Sequence, residues 1–279
     1  MTDRTPESAP QSPQASTLRR GMAVLRELSI HSHTNADGVG PSEIARTIGC
    51  DKSQVSRTLA VLCELGFAEK VEGGRGYRST WALYGLGVRG ADLGFVTAAM
   101  PVLDALSART RLGCYLTVRD GTAVMPIWAA TQNYRFESAQ PGTRWSLYAS
   151  SAGIAHLIDH TRAEFDRDLS RVELVRYTSR TPITLDEIWN IVVEARRRGF
   201  AVQDGHWHED LFAVAAPIRG RFREIVGTLA IAGRPVDMTD RVESIATHAL
   251  QAAAAIGARL SKEPLPPEQT PPYWLRRLG

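Results

Sequence analysis

The sequence predicts an α+β protein: an N-terminal winged helix-turn-helix, a linker helix, and a larger C-terminal domain of strands and helices. Three observations predict it. Residues 41–66, PSEIARTIGCDKSQVSRTLAVLCELG, read as a helix, a Gly turn and a second helix. Residues 67–83, FAEKVEGGRGYRSTWAL, read as two short strands around a Gly-rich tip. From residue 113 onward two apolar strand pairs alternate with helices, an order that packs helices on a sheet.

Residues 1–16 (MTDRTPESAPQSPQAS) are polar and Pro-rich and are expected to form a disordered tail. A first helix over about 17–30 is expected to turn Leu18, Met22 and Leu25 inward, with Arg19 and Arg20 at its start within reach of phosphate. HSHTNADGVG, 31–40, is a loop. Ile44, Ala45 and Ile48 share one face of the next helix. Gly49 supplies the turn, and Asp51 caps the following helix or sits in its first turn. There Val55, Leu59 and Leu62 recur at i, i+4, i+7 as an apolar stripe. Ser53, Ser56, Arg57 and Ala60 fall on the opposite side, with Gln54 at its flank and Lys52 at its start. Short polar residues and one Arg near the N-terminal end suit a helix lying in a DNA major groove. A solvated helix more often carries Glu and Lys there.

The hairpin strengthens that reading. Gly73, Gly74 and Gly76 form the tip, Arg75 sits on it, and Arg78 and Arg89 follow with no Asp or Glu between residues 73 and 91. Such a wing suits contact with phosphates or the minor groove. The alternative is a surface hairpin whose Arg residues serve solubility. Residues 90–112 are an apolar helical segment (Leu93, Val96, Met100, Leu103, Leu106) in which Pro101 kinks or restarts the helix. They link the DNA-binding domain, 17–89, to the rest.

The larger domain spans about 113–260. CYLTVRDG and TAVMPIWAA read as a hairpin turning at Asp120–Gly121. TLDEIWNIVVEARRR, 184–198, reads as a helix opened by a Thr184/Glu187 capping box and stopped by Gly199. Arg196, Arg197 and Arg198 at its end complement the helix dipole. LFAVAAPIRG and EIVGTLAIAG form a second strand pair, and an Ala-rich helix covers about 240–260. Residues 261–279 are a tail, Pro-rich from 264, for which disorder and docking onto the domain or a partner both stand.

A chain of 279 residues holds two cores. Its 43% hydrophobic and 23% charged content is that of a soluble globular protein, and the formal charge of +3 permits nucleic-acid binding without demanding it. Cys50, Cys63 and Cys114 show neither metal-ligand spacing nor a disulfide framework, so reduced thiols in a cytoplasm are expected. No signal peptide and no membrane span is read.

The chain resembles the IclR-type bacterial transcriptional regulators from about Leu18 to about Leu260. TLRRGMAVLRELS, PSEIARTIGCDKSQVSRTLAVLCELGFAEK, WALYGLG, GTRWSLYASSAGIA and RRGFAVQDGHWHEDLFAVAAPIRG carry the resemblance, in that order. It implies a GAF-like effector-binding fold for the C-terminal domain. It also implies a double-stranded DNA operator, a small-molecule effector, and a homodimer or tetramer formed in part through residues 90–112. In the family the segment matching WSLYASSAGIA lines the effector cavity, and backbone N–H groups near its small residues receive the effector's carboxylate. Those positions are Ser151 and Ala152, before Gly153, at an expected helix start where free N–H groups favour an anion. The family's Pro-Leu opening is Ser146-Leu147 here, and its basic residue after the Gly is Ile154.

The second lining segment departs further. A family acid falls on Gln203, a pair of acids on Gly205 and His206, and a Cys on Ala213. Two hydroxyl positions of members that bind short keto acids fall on Ala230 and Ala232. Polar anchors are replaced by methyl groups, so an apolar or aromatic carboxylic acid is the expected effector. Tyr115, Met125, Trp128, Trp145 and Tyr148 are candidates to line the pocket, with plain core packing as the alternative for each. His206 and His208 with Glu209 or Asp210 make a short-spaced metal candidate; a polar loop touching effector or solvent is the preferred reading, and no cofactor is expected. No nucleophile elbow, Walker loop, GxGxxG or HExxH is found, and no enzyme activity is expected.

Overall fold

The structure, a computed structural model, describes residues 13–31, 35–90, 93–131 and 140–262, so most of both expected tails lies outside it. The chain divides into two units, residues 1–92 and 93–279.

In the first unit, α1 (Pro13–His31) opens at a proline, four residues inside the expected tail. The first helical turn tolerates proline because its N–H would go unpaired there. The inward face of α1 is Val24 and Leu28, both fully buried, while Leu18 and Met22 are 68% and 58% exposed. Leu25, expected inward with them, does pack against the Val24–Leu28 core, so the expected face is corrected at Leu18 and Met22. The helix carries two apolar stripes, and it buries the one that meets α2 (Pro41–Ile48) and α3 (Lys52–Glu64) in a core with Ile44, Val55 and Leu59. Gly49 ends α2 in the left-handed region at φ +65°. β1 (Ala68–Lys70) and β2 (Tyr77–Ser79) pair antiparallel as the wing. The TWAL segment, expected to end the second strand, instead starts α4 (Trp81–Gly90), where the Thr80 hydroxyl accepts from the Ala82 N–H.

The second unit is one six-stranded antiparallel sheet with helices on both faces. Its order is β5 (Trp145–Ser146), β4 (Ala123–Ala130), β3 (Gly113–Asp120), β8 (Ile225–Gly233), β7 (Phe212–Arg219), β6 (Ala201–Asp204). Strand alternation sorts the side chains. Cys114, Leu116, Phe212, Val214, Leu229 and Ile231 face α5 (Leu93–Thr110) and α10 (Val242–Lys262). Tyr115, Ala213, Ala215, Ala230 and Ala232 face α6 (Ser151–Leu157), α7 (Arg162–Leu169) and α8 (Leu185–Arg198). A short helix α9 (Pro235–Met238) precedes α10. Pro101 lies inside an unbroken α5, and the Ala98 carbonyl one turn before it accepts from Arg259 of α10.

Candidate functional site

In the first unit, burial of Val55, Leu59 and Leu62 leaves Lys52, Ser53, Arg57 and Ala60 exposed along α3, with Gln54 and Ser56 half-buried beside them. Asp51 takes the N-cap position without a side-chain hydrogen bond. On the wing, a Cβ at Gly76 would stand 2.3 Å from the Asp37 carbonyl oxygen, so only glycine lets the hairpin lie against residues 37–39. Arg75 is exposed at the tip. Arg78 is engaged by Glu69 across the ladder, Nε to carboxylate at 2.6 Å. On α1, Arg19 is exposed and borders an apolar groove with Leu18, Met22, Leu25 and Leu83, while Arg20 is half-buried.

In the second unit, a cavity opens between the sheet and the start of α6. Strand register builds its floor: Gln203 pairs with Ala213, Ala213 with Ala232, and Ala232 with Gly113. In the next row Ala215 pairs with Ala230 and Ala230 with Tyr115. Alanines keep this floor low. The Tyr115 ring lies over Gly113, where an added Cβ would come within 2.7 Å of its hydroxyl. Trp145 meets Tyr115 edge-on at 5.5 Å between centroids, and Trp207 meets Trp145 edge-on at 6.0 Å. Ser150, Ser151 and Leu211 complete the lining of a cavity of about 30 Å³. That is room for about one water and well below the roughly 300–1,000 Å³ of ligand sites, so a ligand enters only as the lining gives way.

The Ser150 hydroxyl donates to the Ser146 carbonyl at 2.6 Å and accepts from the Gly153 N–H at 3.0 Å. The amides of Ser151 and Ala152 are the first two of α6. Of the sequence-predicted lining residues, Tyr115, Trp145, Ser151, Gln203, Ala213, Ala230 and Ala232 come together here. Trp128 packs instead on the α5/α10 face, because it pairs with Leu116, which faces those helices, while its neighbour Ala129 pairs with Tyr115. Met125 lies beside Val118, away from the cavity. Leu147 and Ala152 are buried in the core around α6. Tyr148 is core as well: its hydroxyl donates to the Val175 carbonyl at 2.8 Å and accepts from the Val175 N–H, and burial pushes its pKa up to about 12.

His206 borders a separate groove with Asn190, Ile191 and Glu194 of α8. Residues 205–210 are bends and a turn rather than strand, so strand alternation does not align His206 with His208. No group of three potential metal ligands occurs among the described residues. Sequence reasoning missed Ser150, Trp207 and Leu211. Trp207 stood inside the HWHED cluster weighed for metal, and its bulk was the available signal.

The profile of the bacterial transcriptional regulator IclR C-terminal domain matches residues 91–258, and that of the IclR helix-turn-helix domain matches residues 17–72. The chain belongs to the IclR family. It is similar to the HTH-type transcriptional regulator BhcR of Paracoccus denitrificans, 26% identical over 85% of this chain and 84% of the relative. It is similar also to the HTH-type transcriptional regulator KdgR of Escherichia coli, 25% identical over 69% of this chain and 74% of that one. Among solved structures, an IclR homolog from Microbacterium hydrocarbonoxydans complexed with 4-hydroxybenzoate has a TM-score of 0.74 at 22% identity, covering 88% of this chain and all of that one. This IclR-family chain is therefore a transcriptional regulator with a DNA-binding helix-turn-helix and a C-terminal effector-binding domain.

In the effector domain of this IclR-family protein, α6 is buried on every side and anchored at its far end. Arg196 donates to the carbonyls of Ile158 (2.7 Å) and His160. Arg119 at the end of β3 donates to Asp168 of α7 at 2.6 Å and meets His160 at 3.1 Å. Between them His156 is buried with its Nε2 unpaired among the described residues. Burial, then the charges of Arg119 and His160, lowers its pKa to about 4. No single described helix is long and apolar enough to cross a membrane.

Proposed function

We propose that a small aromatic carboxylic acid in the α6 cavity modulates operator binding by this regulator. The observation that carries the reading is the lining. Three aromatic rings and three alanine methyl groups leave a small space with few polar groups. A short keto acid needs many hydrogen bonds per atom, whereas an aromatic acid binds largely by burial. The Ser151 and Ala152 N–H groups receive the carboxylate, since Ser150 already occupies the N–H of Gly153. The 4-hydroxybenzoate held by the Microbacterium protein is an acid of this class, which supports the reading.

Ser53, Gln54, Ser56 and Arg57 read base edges in the major groove, with Lys52 on the backbone. Arg75, Arg19 and Arg20 contact phosphate, and Arg78 does so only by leaving Glu69. The protein acts as a homodimer, or as paired dimers, because one winged helix reads too few base pairs for useful specificity. No catalytic residue is assigned. As a protein that meets operator DNA, it works in the cytoplasm.

Thermal melting in the presence of candidate acids tests the effector class, because a ligand with affinity for the native state raises its melting point. Benzoate-type acids are expected to stabilise the protein and pyruvate or glyoxylate not to. Ala213→Leu, which fills the cavity, is expected to abolish the response while duplex binding persists. Stabilisation by short keto acids alone would remove the aromatic reading.

A further inference from the structure

The turn that joins α5 to β3 holds an arginine where glycine would sit more easily. Arg111 follows the last residue of α5 with φ +59°, in the left-handed region. A side chain there costs free energy, and the conformation lasts only where its surroundings impose it. Here they do. The Arg111 N–H donates to the Ser107 carbonyl at 2.8 Å. The Thr110 hydroxyl donates to the Leu106 carbonyl and accepts from the Leu112 N–H, while the Ser107 hydroxyl donates to the Leu112 carbonyl. Ser107 and Thr110 are buried, so the turn is locked from inside, and Arg111 stands exposed upon it. A cation near the end of α5 complements the helix dipole, but Arg109 in the last turn already does that without strain.

Arg111 lines an open groove of about 660 Å³ together with Leu112, Arg234, Val236, Asp237 and Arg241. Arg234 donates to Asp237 through Nε at 2.8 Å and Nη2 at 3.3 Å, which takes up the acid of the lining. The side chains of Arg111 and Arg241 meet no partner among the described residues. Two cations facing one concavity repel each other, and an anion between them removes that repulsion. Guanidinium forks match phosphate oxygens bidentately, and two of them suit a group with more than one negative charge. The groove is of ligand size, so it admits more than a bare ion, and Leu112 and Val236 give the carbon part of a ligand an apolar wall.

We infer that Arg111, Arg234 and Arg241 form a second ligand site, on the α5/α10 side of the sheet, for a small phosphorylated anion. The strain at Arg111 is what placing its guanidinium there costs. The site is separate from the α6 cavity and stands whether or not that cavity takes an aromatic acid.

The experiment titrates the full chain with inorganic phosphate and glycerol 3-phosphate at fixed ionic strength, by calorimetry and thermal melting, with chloride and citrate for comparison. Both phosphates are expected to bind and to raise the melting point, and chloride to do neither. Arg111→Gly removes the guanidinium and the strain together. It is expected to bind glycerol 3-phosphate about tenfold more weakly, with an unliganded melting point equal to or above that of the unaltered protein. Arg241→Ala is expected to weaken binding to a similar degree. Arg57→Ala is the control, because cations of the first unit also attract phosphate, and it is expected to keep the response. Absence of a phosphate response in the unaltered protein overturns the inference. So does a response that survives both groove variants, or one that Arg57→Ala abolishes. Tighter binding of citrate than of either phosphate overturns the phosphate assignment. If Arg111→Gly lowers the unliganded melting point, Arg241→Ala decides alone.

Discussion

Arg57 and Arg75 are both exposed cations of the first unit, yet they sit on different supports. Arg57 projects from α3, whose Val55–Leu59–Leu62 stripe locks the helix to its core, so its Cα is held at a fixed place on a rigid rod. Arg57→Ala is expected to cost about 1–3 kcal/mol on the operator and to relax sequence preference. Arg75 sits on a glycine tip, and Arg75→Ala is expected to weaken all duplexes alike and flatten the salt dependence. Operator titrations at several salt concentrations separate the two, and an unchanged preference in the Arg57 variant would take α3 out of the groove. His156 makes a different claim. Its folded pKa of about 4 lies below the ordinary 6.5, so the unfolded chain takes up the proton first as pH falls. The stabilisation is complete above pH 6.5, is lost between 6.5 and about 4, and amounts to about 3 kcal/mol in all. Urea unfolding at pH 7.5 and 5 is expected to show a smaller loss in His156→Leu than in the unaltered protein; equal losses would clear His156 of the effect.

The elements around the site owe their positions to small residues. A Cβ at Gly153 would stand 2.1 Å from the Leu147 carbonyl oxygen, so the turn 146–150 tucks under α6 only because that position has no side chain. Gly153→Ala is expected to lower the midpoint of denaturation by the equivalent of about 1–3 kcal/mol and to weaken any effector response, as overpacked sites do. A variant with normal stability and normal ligand response would show that α6 is not held there by close approach. At its other end α6 is fixed by Arg196, which does more than complement its own helix dipole. Arg197 and Arg198 pair with Glu194 on α8. α5, expected as a dimer contact, spends Phe95, Ala99, Leu103 and Leu106 on the sheet.

At the scale of the molecule, the first unit offers a further surface for the proposed dimer beside the expected α5 contact. Leu18 and Met22 of α1 and Trp81, Tyr84 and Leu86 of α4 are all exposed, with Trp81 at 83% and packed edge-on against Tyr84. Exposed apolar residues gathered on two helices mark an interaction surface. Light scattering is expected to give at least twice the 30.6 kDa chain mass, and Trp81→Glu with Tyr84→Asp to give monomers with weakened operator binding. A monomer in the unaltered protein would end the dimer proposal.

The sequence by itself settled what depends on local chemistry. The helix-turn-helix, the Gly49 turn, the Asp120–Gly121 hairpin and the Thr184/Glu187 cap are all written within a few residues of where they act, and so are legible without a fold. Family motifs added the start of α6 and the alanine floor, because those positions recur in fixed order along the chain. Other features waited for the tertiary structure. Which stripe of α1 turns inward depends on what packs against it, and two stripes of similar apolarity look alike in sequence. Trp128 lies on the other face because the ladder sets it opposite Leu116 rather than Tyr115, a register that no residue type announces. Trp207 entered the cavity because the loop 205–210 is tied down from afar, by the hydroxyls of Thr178 and Thr181 on the carbonyls of Gly205 and His206. The Gln203 amide is turned by the Leu211 carbonyl, eight residues on, which its Nε2 meets at 3.3 Å. Contacts between residues distant in sequence choose among conformations that local preference leaves nearly equal, and that choice is where the site was made.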